Sequence, residues 1–158
     1  MISLIACVDK ENGIGRNGTI PWLLPPDMKR FKELTTGSTV VMGRRTWESI
    51  GSKPLPNRVN IVVTSKPHLI NDVLTCMNIT ESLQIAKSML RPIFIIGGTS
   101  IYQDSFPHAS HVYLTRIDKS YDCDTIFPIS KTQRFNCDVT EWIQYKDNIR
   151  YRFETYYL

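Results

Sequence analysis

Short runs of β-branched and apolar residues punctuate the chain at Ile2 to Val8, Thr39 to Met42, Val59 to Thr64, Val73 to Met77, Ile93 to Ile96 and His111 to Ile117. Their length and composition predict strands. Between several of them the polar and apolar positions predict helices over Asp27 to Leu34 (after Pro25-Pro26), Arg45 to Ile50, Thr80 to Met89 and Thr99 to Phe106. Strands alternating with helices describe an α/β fold. The runs VVMG, NIVVT and IFIIGG are apolar at successive positions, so helices must cover both faces of a mostly parallel central sheet. Residues 134 to 145 and 149 to 157 break the alternation as two long strand-like runs around Lys146-Asp147-Asn148, a turn signal that predicts a C-terminal antiparallel hairpin. Residues 9 to 25, rich in Gly, Asn and Pro, carry no period and read as a mobile loop.

No repeat, linker or low-complexity stretch divides the 158 residues, and 42% apolar with 22% charged residues suits one globular core, so 1–158 is expected to be a single domain. The apolar start, MISLIACV, lacks a basic leader and a small-residue cleavage site and reads as a strand. No apolar run approaches the roughly 20 residues of a membrane helix. A soluble, cytoplasmic protein without a membrane partner is therefore expected. Cys7, Cys76, Cys123 and Cys137 lie far apart without a CxxC pair or clustered histidines, which indicates neither a metal site nor a disulfide framework. The balance of +4 is scattered apart from Lys29-Arg30 and Arg44-Arg45; it suits anionic small ligands better than nucleic acid, which calls for a denser stripe.

Asp27 is the first candidate for chemistry. At a helix start a carboxylate can simply cap free N–H groups and answer the helix dipole. Trp22, Leu23, Leu24, Met28 and Phe31, however, surround it with apolar groups. A carboxylate in such a pocket can offer two oxygens to an amidine-like heterocycle edge, and desolvation favours its protonated form. Phosphate cradles are suggested twice. Gly97-Gly98 ends an apolar strand before Thr99-Ser100-Ile101-Tyr102, and Gly43-Arg44-Arg45-Thr46 repeats the order strand, glycine, helix start. Gly97-Gly98 alone is better read as a simple strand-to-helix turn. Two such cradles, one with two arginines, point to a dinucleotide.

The run from Ile14-Gly15 through Ile20-Pro21-Trp22, Asp27, Phe31 and Thr35 resembles the signature segment of dihydrofolate reductases. The resemblance continues through MGRRTWESIG (42–51), PLPNR (54–58), IVVTSKP (61–67), IIGGTSIY (95–102) and YLTRID (113–118), nearly the whole length. It implies NADPH-dependent reduction of dihydrofolate to tetrahydrofolate, serving one-carbon metabolism and thymidylate synthesis, with sensitivity to antifolates and a monomeric state. It makes Asp27 the catalytic acid, with Trp22, Ile20 and Tyr102 beside the reacting centre. Met28, Phe31, Ile50 and Leu55 would line the substrate path, Arg58 would pair with the glutamate tail, and Thr115 would bond to Asp27. The backbone carbonyls of Ile5 and Ile96 would meet the pterin 4-amino group of an antifolate inhibitor, with Ala6 adjoining.

For the cofactor the resemblance implies Cys7, Ile14 and Gly15 near the nicotinamide. Gly43, Arg44, Arg45, Thr46, Gly97, Gly98, Thr99, Ser100 and Ile101 would take the phosphates, and Thr64, Ser65 and Lys66 would join Arg44 in gripping the adenosine 2′-phosphate. Ser100 stands where many members carry arginine, leaving Lys66 or Arg45 to supply that charge. Ile20 stands where some relatives have methionine or leucine, which keeps an apolar lid over residues 15 to 20. Asp124 would hold that lid closed, next to Cys123, where some relatives have glycine and its freedom of positive φ. Two rivals share the fold: a pyrimidine reductase of riboflavin synthesis, against which Asp27 after Pro21-Trp22 argues, and a non-catalytic NADPH-binding protein.

Overall fold

The structure is a computed structural model and describes residues 1–146 and 148–158. In chain order it contains β1 (Ile2–Val8), β2 (Gly13–Gly15), α1 (Pro25–Thr35), β3 (Thr39–Gly43), α2 (Arg44–Ser49), β4 (Val59–Val63), β5 (Leu74–Cys76) and α3 (Ile79–Ser88). Then follow β6 (Ile93–Ile95), α4 (Thr99–Ser105), β7 (His111–Ile117), β8 (Thr125–Ile126), β9 (Asn136–Val139), β10 (Ile143–Lys146) and β11 (Ile149–Tyr157). Pro25 and Pro26 open α1, where a missing N–H costs nothing. Asn78 caps α3 by accepting from the Glu81 N–H at 2.8 Å.

Nine strands form one sheet in the order β10-β11-β7-β1-β6-β3-β4-β5, with β9 also on β11. The pairs of β1 with β6 and β7, of β3 with β4 and β6, and of β4 with β5 are parallel. Only β11 and its partners run antiparallel. Successive residues of each inner strand point to opposite faces. Val41, Ile61 and Ile95 pack with Leu83, Ala86, Ile101 and Phe106 on the α3/α4 side. Val40, Met42, Val62 and Phe94 pack with Phe31 and Leu34 on the α1 side. Both faces are covered, as the apolar runs required.

Two expectations need correction. Residues 134 to 145 do not form one strand: β9 and β10 are separate and lie one after the other along β11. The Thr140 N–H donates to the Phe153 carbonyl, while Thr140 Oγ1 accepts from the Phe153 N–H, each at 3.0 Å, so a side chain takes over a ladder bond and pairing stops. Asp147, the middle of the predicted turn, lies outside the described residues. The segment 9 to 25 is also less open than a bare loop, because β2 within it pairs with β8.

Candidate active site

The carboxyl ends of β3, β4 and β6 bring together Gly43, Thr64 and Gly97, the place where open α/β sheets take ligands. On the α1 side the first turn of that helix aims Asp27 at β7. Leu24 is the residue at the cap, and no side chain bonds the free N–H groups there, so Asp27 is not serving as a cap. Its Oδ1 instead accepts from Thr115 Oγ1 at 2.6 Å. Burial raises the Asp27 pKa above the usual carboxylate value, opposed by the Thr115 hydroxyl, the Arg30 charge and the Cys7 thiol. The pocket thus holds an acid biased toward its proton, with one oxygen already oriented.

On the same α1 side of the sheet lies a set of half-exposed apolar side chains. Phe31, Ile50, Leu55 and Ile96 pack, each half-exposed, around a cluster that includes Ile5 and Trp47. Met28 is 58% exposed. Arg58 donates from Nη1 to Thr35 Oγ1 at 3.0 Å and from Nε to the Pro56 carbonyl at 2.8 Å. Ala6 is half-buried and packs toward the opposite face. Tyr102 is buried, and its hydroxyl donates to the Ile5 carbonyl at 2.8 Å. Burial, reinforced by Asp27 and Cys7, raises its pKa far out of reach, so the phenol keeps its proton. Tyr102 therefore fixes the Ile5 carbonyl, which retains a second lone pair for an incoming donor.

Across the strand ends Gly43 and Gly97 touch: the Gly43 N–H donates to the Gly97 carbonyl at 2.8 Å. Gly97 has φ +129°, and a Cβ there would lie 3.1 Å from Thr46 Oγ1. At Gly43 a Cβ would lie 3.0 Å from Ile101 Cγ1. Side chains at either turn would press on protein atoms, so glycine is what lets the two turns approach, leaving a backbone rim of the kind that suits a pyrophosphate. Gly98, Thr99 and Ser100 continue this rim, with Thr99 Oγ1 donating to the Ile126 carbonyl at 3.1 Å. Arg44 and Arg45 are exposed, and Arg44 Nη1 pairs with Glu48 at 2.9 Å. Thr64 is buried and accepts from the Lys66 N–H, leaving Ser65 and Lys66 exposed at the corner.

The 15 to 20 segment carries Ile20, 59% exposed, and ends on Trp22, which packs on Tyr121 at 5.2 Å between ring centres. Ile14 packs on the core, and Gly15 pairs with Thr125. Asp124 accepts from the Asn17 N–H at 2.9 Å and donates its own N–H to the Gly15 carbonyl at 3.0 Å. The left-handed residue beside it is Asp122, φ 52°, rather than Cys123, so the cysteine costs no backbone strain.

Sequence reasoning passed over two contributors. Asn60, buried, accepts from the Leu55 N–H and donates to the Leu55 and Arg58 carbonyls, which sets the loop that carries both. Arg30, one turn after Asp27, lies over the rings of Phe153 and Tyr113 at 3.9 and 5.8 Å. The i, i+3 spacing from Asp27 was the available signal for Arg30; Asn60, inside an apolar strand, gave one only as an unexplained polar residue.

The family model described as dihydrofolate reductase matches residues 1–158. A dihydrofolate reductase of Buchnera aphidicola (subspecies Schizaphis graminum) is 39% identical over 153 residues, 96% of this chain and 94% of that protein. One from Bacillus subtilis is 41% identical over 128 residues, 81% of this chain and 76% of that protein. Among solved structures, dihydrofolate reductase from Enterococcus faecalis, complexed with NADP(H) and RAB-propyl, superposes with a TM-score of 0.86 at 32% identity, covering 99% of this chain and 95% of that one.

Proposed function

The chain belongs to the dihydrofolate reductase family and is an NADPH-dependent oxidoreductase that reduces 7,8-dihydrofolate to 5,6,7,8-tetrahydrofolate, and we propose how its own residues divide that work. The observation that carries the assignment is the half-buried Asp27, held by Thr115 on the side of the sheet where Phe31, Ile50 and Leu55 pack and where Arg58 is fixed by Thr35. Asp27 takes the amidine-like edge of the pterin, with Thr115 fixing its orientation. Phe31, Ile50 and Leu55 receive the aminobenzoyl ring, Met28 covers it, and Arg58 pairs with the tail carboxylate. Ile5 and Ile96 present backbone carbonyls to the ring's exocyclic amine, whereas the Ala6 side chain, expected from the sequence to adjoin them, packs on the opposite face and takes no part in that wall.

Bound NADPH supplies the hydride that C6 of the pterin receives. Gly43, Thr46, Gly97, Gly98, Thr99, Ser100 and Ile101 form its pyrophosphate cradle, and Arg44, Arg45, Thr64, Ser65 and Lys66 hold the 2′-phosphate. Cys7, Ile14 and Gly15 border the nicotinamide end. Ile20 and Trp22 exclude bulk water from the reacting atoms, while the raised pKa of Asp27 keeps a proton available for delivery through water to N5. Tyr102 holds the Ile5 carbonyl in place. One domain over 1–158, acting as a cytoplasmic monomer without nucleic acid, completes the proposal; its basic residues form no stripe along the sequence.

Loss of NADPH absorbance on mixing purified protein with dihydrofolate tests the assignment. Turnover that prefers NADPH to NADH and stops with a diaminopyrimidine antifolate is expected. Tight NADPH binding without turnover would move the protein to a binding role and remove Asp27 from catalysis.

A further inference from the structure

Asp9 follows the last residue of β1 and is 1% exposed, an unusual place for a carboxylate. Its two oxygens serve different segments. Oδ1 accepts from the Glu11 N–H at 2.9 Å and the Gly13 N–H at 2.7 Å, closing the turn that leads into β2. Oδ2 accepts from the Tyr121 N–H at 2.9 Å and from Cys123 Sγ at 3.6 Å, both on the segment between β7 and β8. The Asp9 backbone is fastened as well, its carbonyl accepting from Arg116 Nη1 at 3.0 Å, and Arg116 is oriented by the buried Glu154. Space around the junction is fully used: a Cβ on Gly13 would collide with the Cys123 side chain.

The two segments joined in this way carry Ile20 and Trp22 on one side and Tyr121, Asp124 and Thr125 on the other. Tyr121 packs on Trp22. We propose that Asp9 is a positioning residue for hydride transfer: its carboxylate ties the base of the 15 to 20 segment to the 121–124 segment, so that Ile20 and Trp22 arrive over the reacting atoms in register. This rests on the lid role given to that segment above. Asp9 touches neither Asp27 nor the side chains assigned to substrate, so it acts through geometry alone. Burial alone would raise its pKa, but the N–H groups of Tyr121, Gly13 and Glu11 outweigh that and hold it below the usual carboxylate range.

Asp9→Asn separates the two halves of the junction. The amide oxygen can keep the bonds from Glu11 and Gly13, while its NH2 meets the Tyr121 N–H donor to donor. Hydrogen exchange should show the Tyr121 amide released and the Gly13 amide still protected. Single-turnover hydride transfer should slow by about 3- to 10-fold, a displacement effect. KM for dihydrofolate and the midpoint of the pH–rate profile, which Asp27 sets, should stay in place. A purely stabilising role would instead lower the melting temperature and leave the rate per folded molecule unchanged. Release of Tyr121 with an unchanged hydride step overturns the proposal, and so does a Tyr121 amide that stays protected. If Asp9→Asn does not fold, Cys123→Ala removes one cross-segment donor; it should slow the same step by a smaller factor, and an unchanged rate overturns the proposal. Ile20→Gly distinguishes the two levels: an unaffected hydride step there removes the lid role itself, whereas a slowed step beside a normal Asp9→Asn removes only Asp9.

Discussion

On the α1 side of the sheet, the groups assigned to substrate are side chains already held by protein partners: Asp27 by Thr115, Arg58 by Thr35 and Pro56, the Leu55 loop by Asn60. Across the ends of β3, β4 and β6 the cofactor candidates are backbone at Gly43 and Gly97, with cations that reach into solvent at Arg44, Arg45 and Lys66. The first region is preorganised and partly dry, so charges there act strongly and feel little salt. The second is wet, where each charge contributes about 1 kcal/mol or less and is screened. On the proposed division of roles, the α1 side carries the chemistry and the rim contributes affinity and selectivity.

The largest expected effect comes from Asp27→Asn. Turnover at neutral pH should fall by about 100-fold or more, while NADPH affinity, set on the other region, changes less than about twofold. Burial raises the Asp27 pKa, so its proton is retained below that value and lost above it; the parent rate should fall as pH rises through it, and the variant should lose that dependence. Because ionising a buried acid with a raised pKa costs stability above that pKa, the variant should melt no lower than the parent at neutral pH. A variant with normal turnover would dissolve the contrast between the two regions.

Arg58→Leu comes next. Losing a fixed, charge-assisted contact should raise KM for dihydrofolate by about 10- to 100-fold, with kcat nearly kept, since Arg58 is assigned to the substrate tail and not to the reacting ring. Steady-state kinetics against a substrate lacking the tail carboxylate would show the same KM for both proteins; a persistent difference would detach Arg58 from the tail. The smallest change belongs to the rim. Arg44→Ala should raise KM for NADPH about fivefold at low ionic strength, and the difference should shrink in added salt. Salt-independent loss would mean that this corner is as rigid as the α1 side.

Much of this was legible in the chain. Apolar runs named the inner strands within a residue or two, because strands covered on both faces leave few polar positions. Asp27 was visible as an acid in apolar company, but that it leaves α1 uncapped and bonds instead to Thr115, 88 positions away in sequence, emerges only in the fold. The hidden parts share that property. Asn60 and Arg30 act through loops and rings that sequence spacing does not reveal, Asp9 looked like an ordinary loop residue, and the break at Thr140 depends on a bond to Phe153.

By itself the sequence determined the α/β class, the helix and strand periods, the glycines at two strand ends and the signature around Asp27, since these follow from local sterics and hydrophobic pattern. Only the tertiary structure decided that Tyr102 holds the Ile5 carbonyl, that Asp9 joins two distant segments, and that burial raises the Asp27 pKa. Hydrogen bonds and desolvation of that kind depend on which chain segments meet after folding, and no local pattern encodes that meeting.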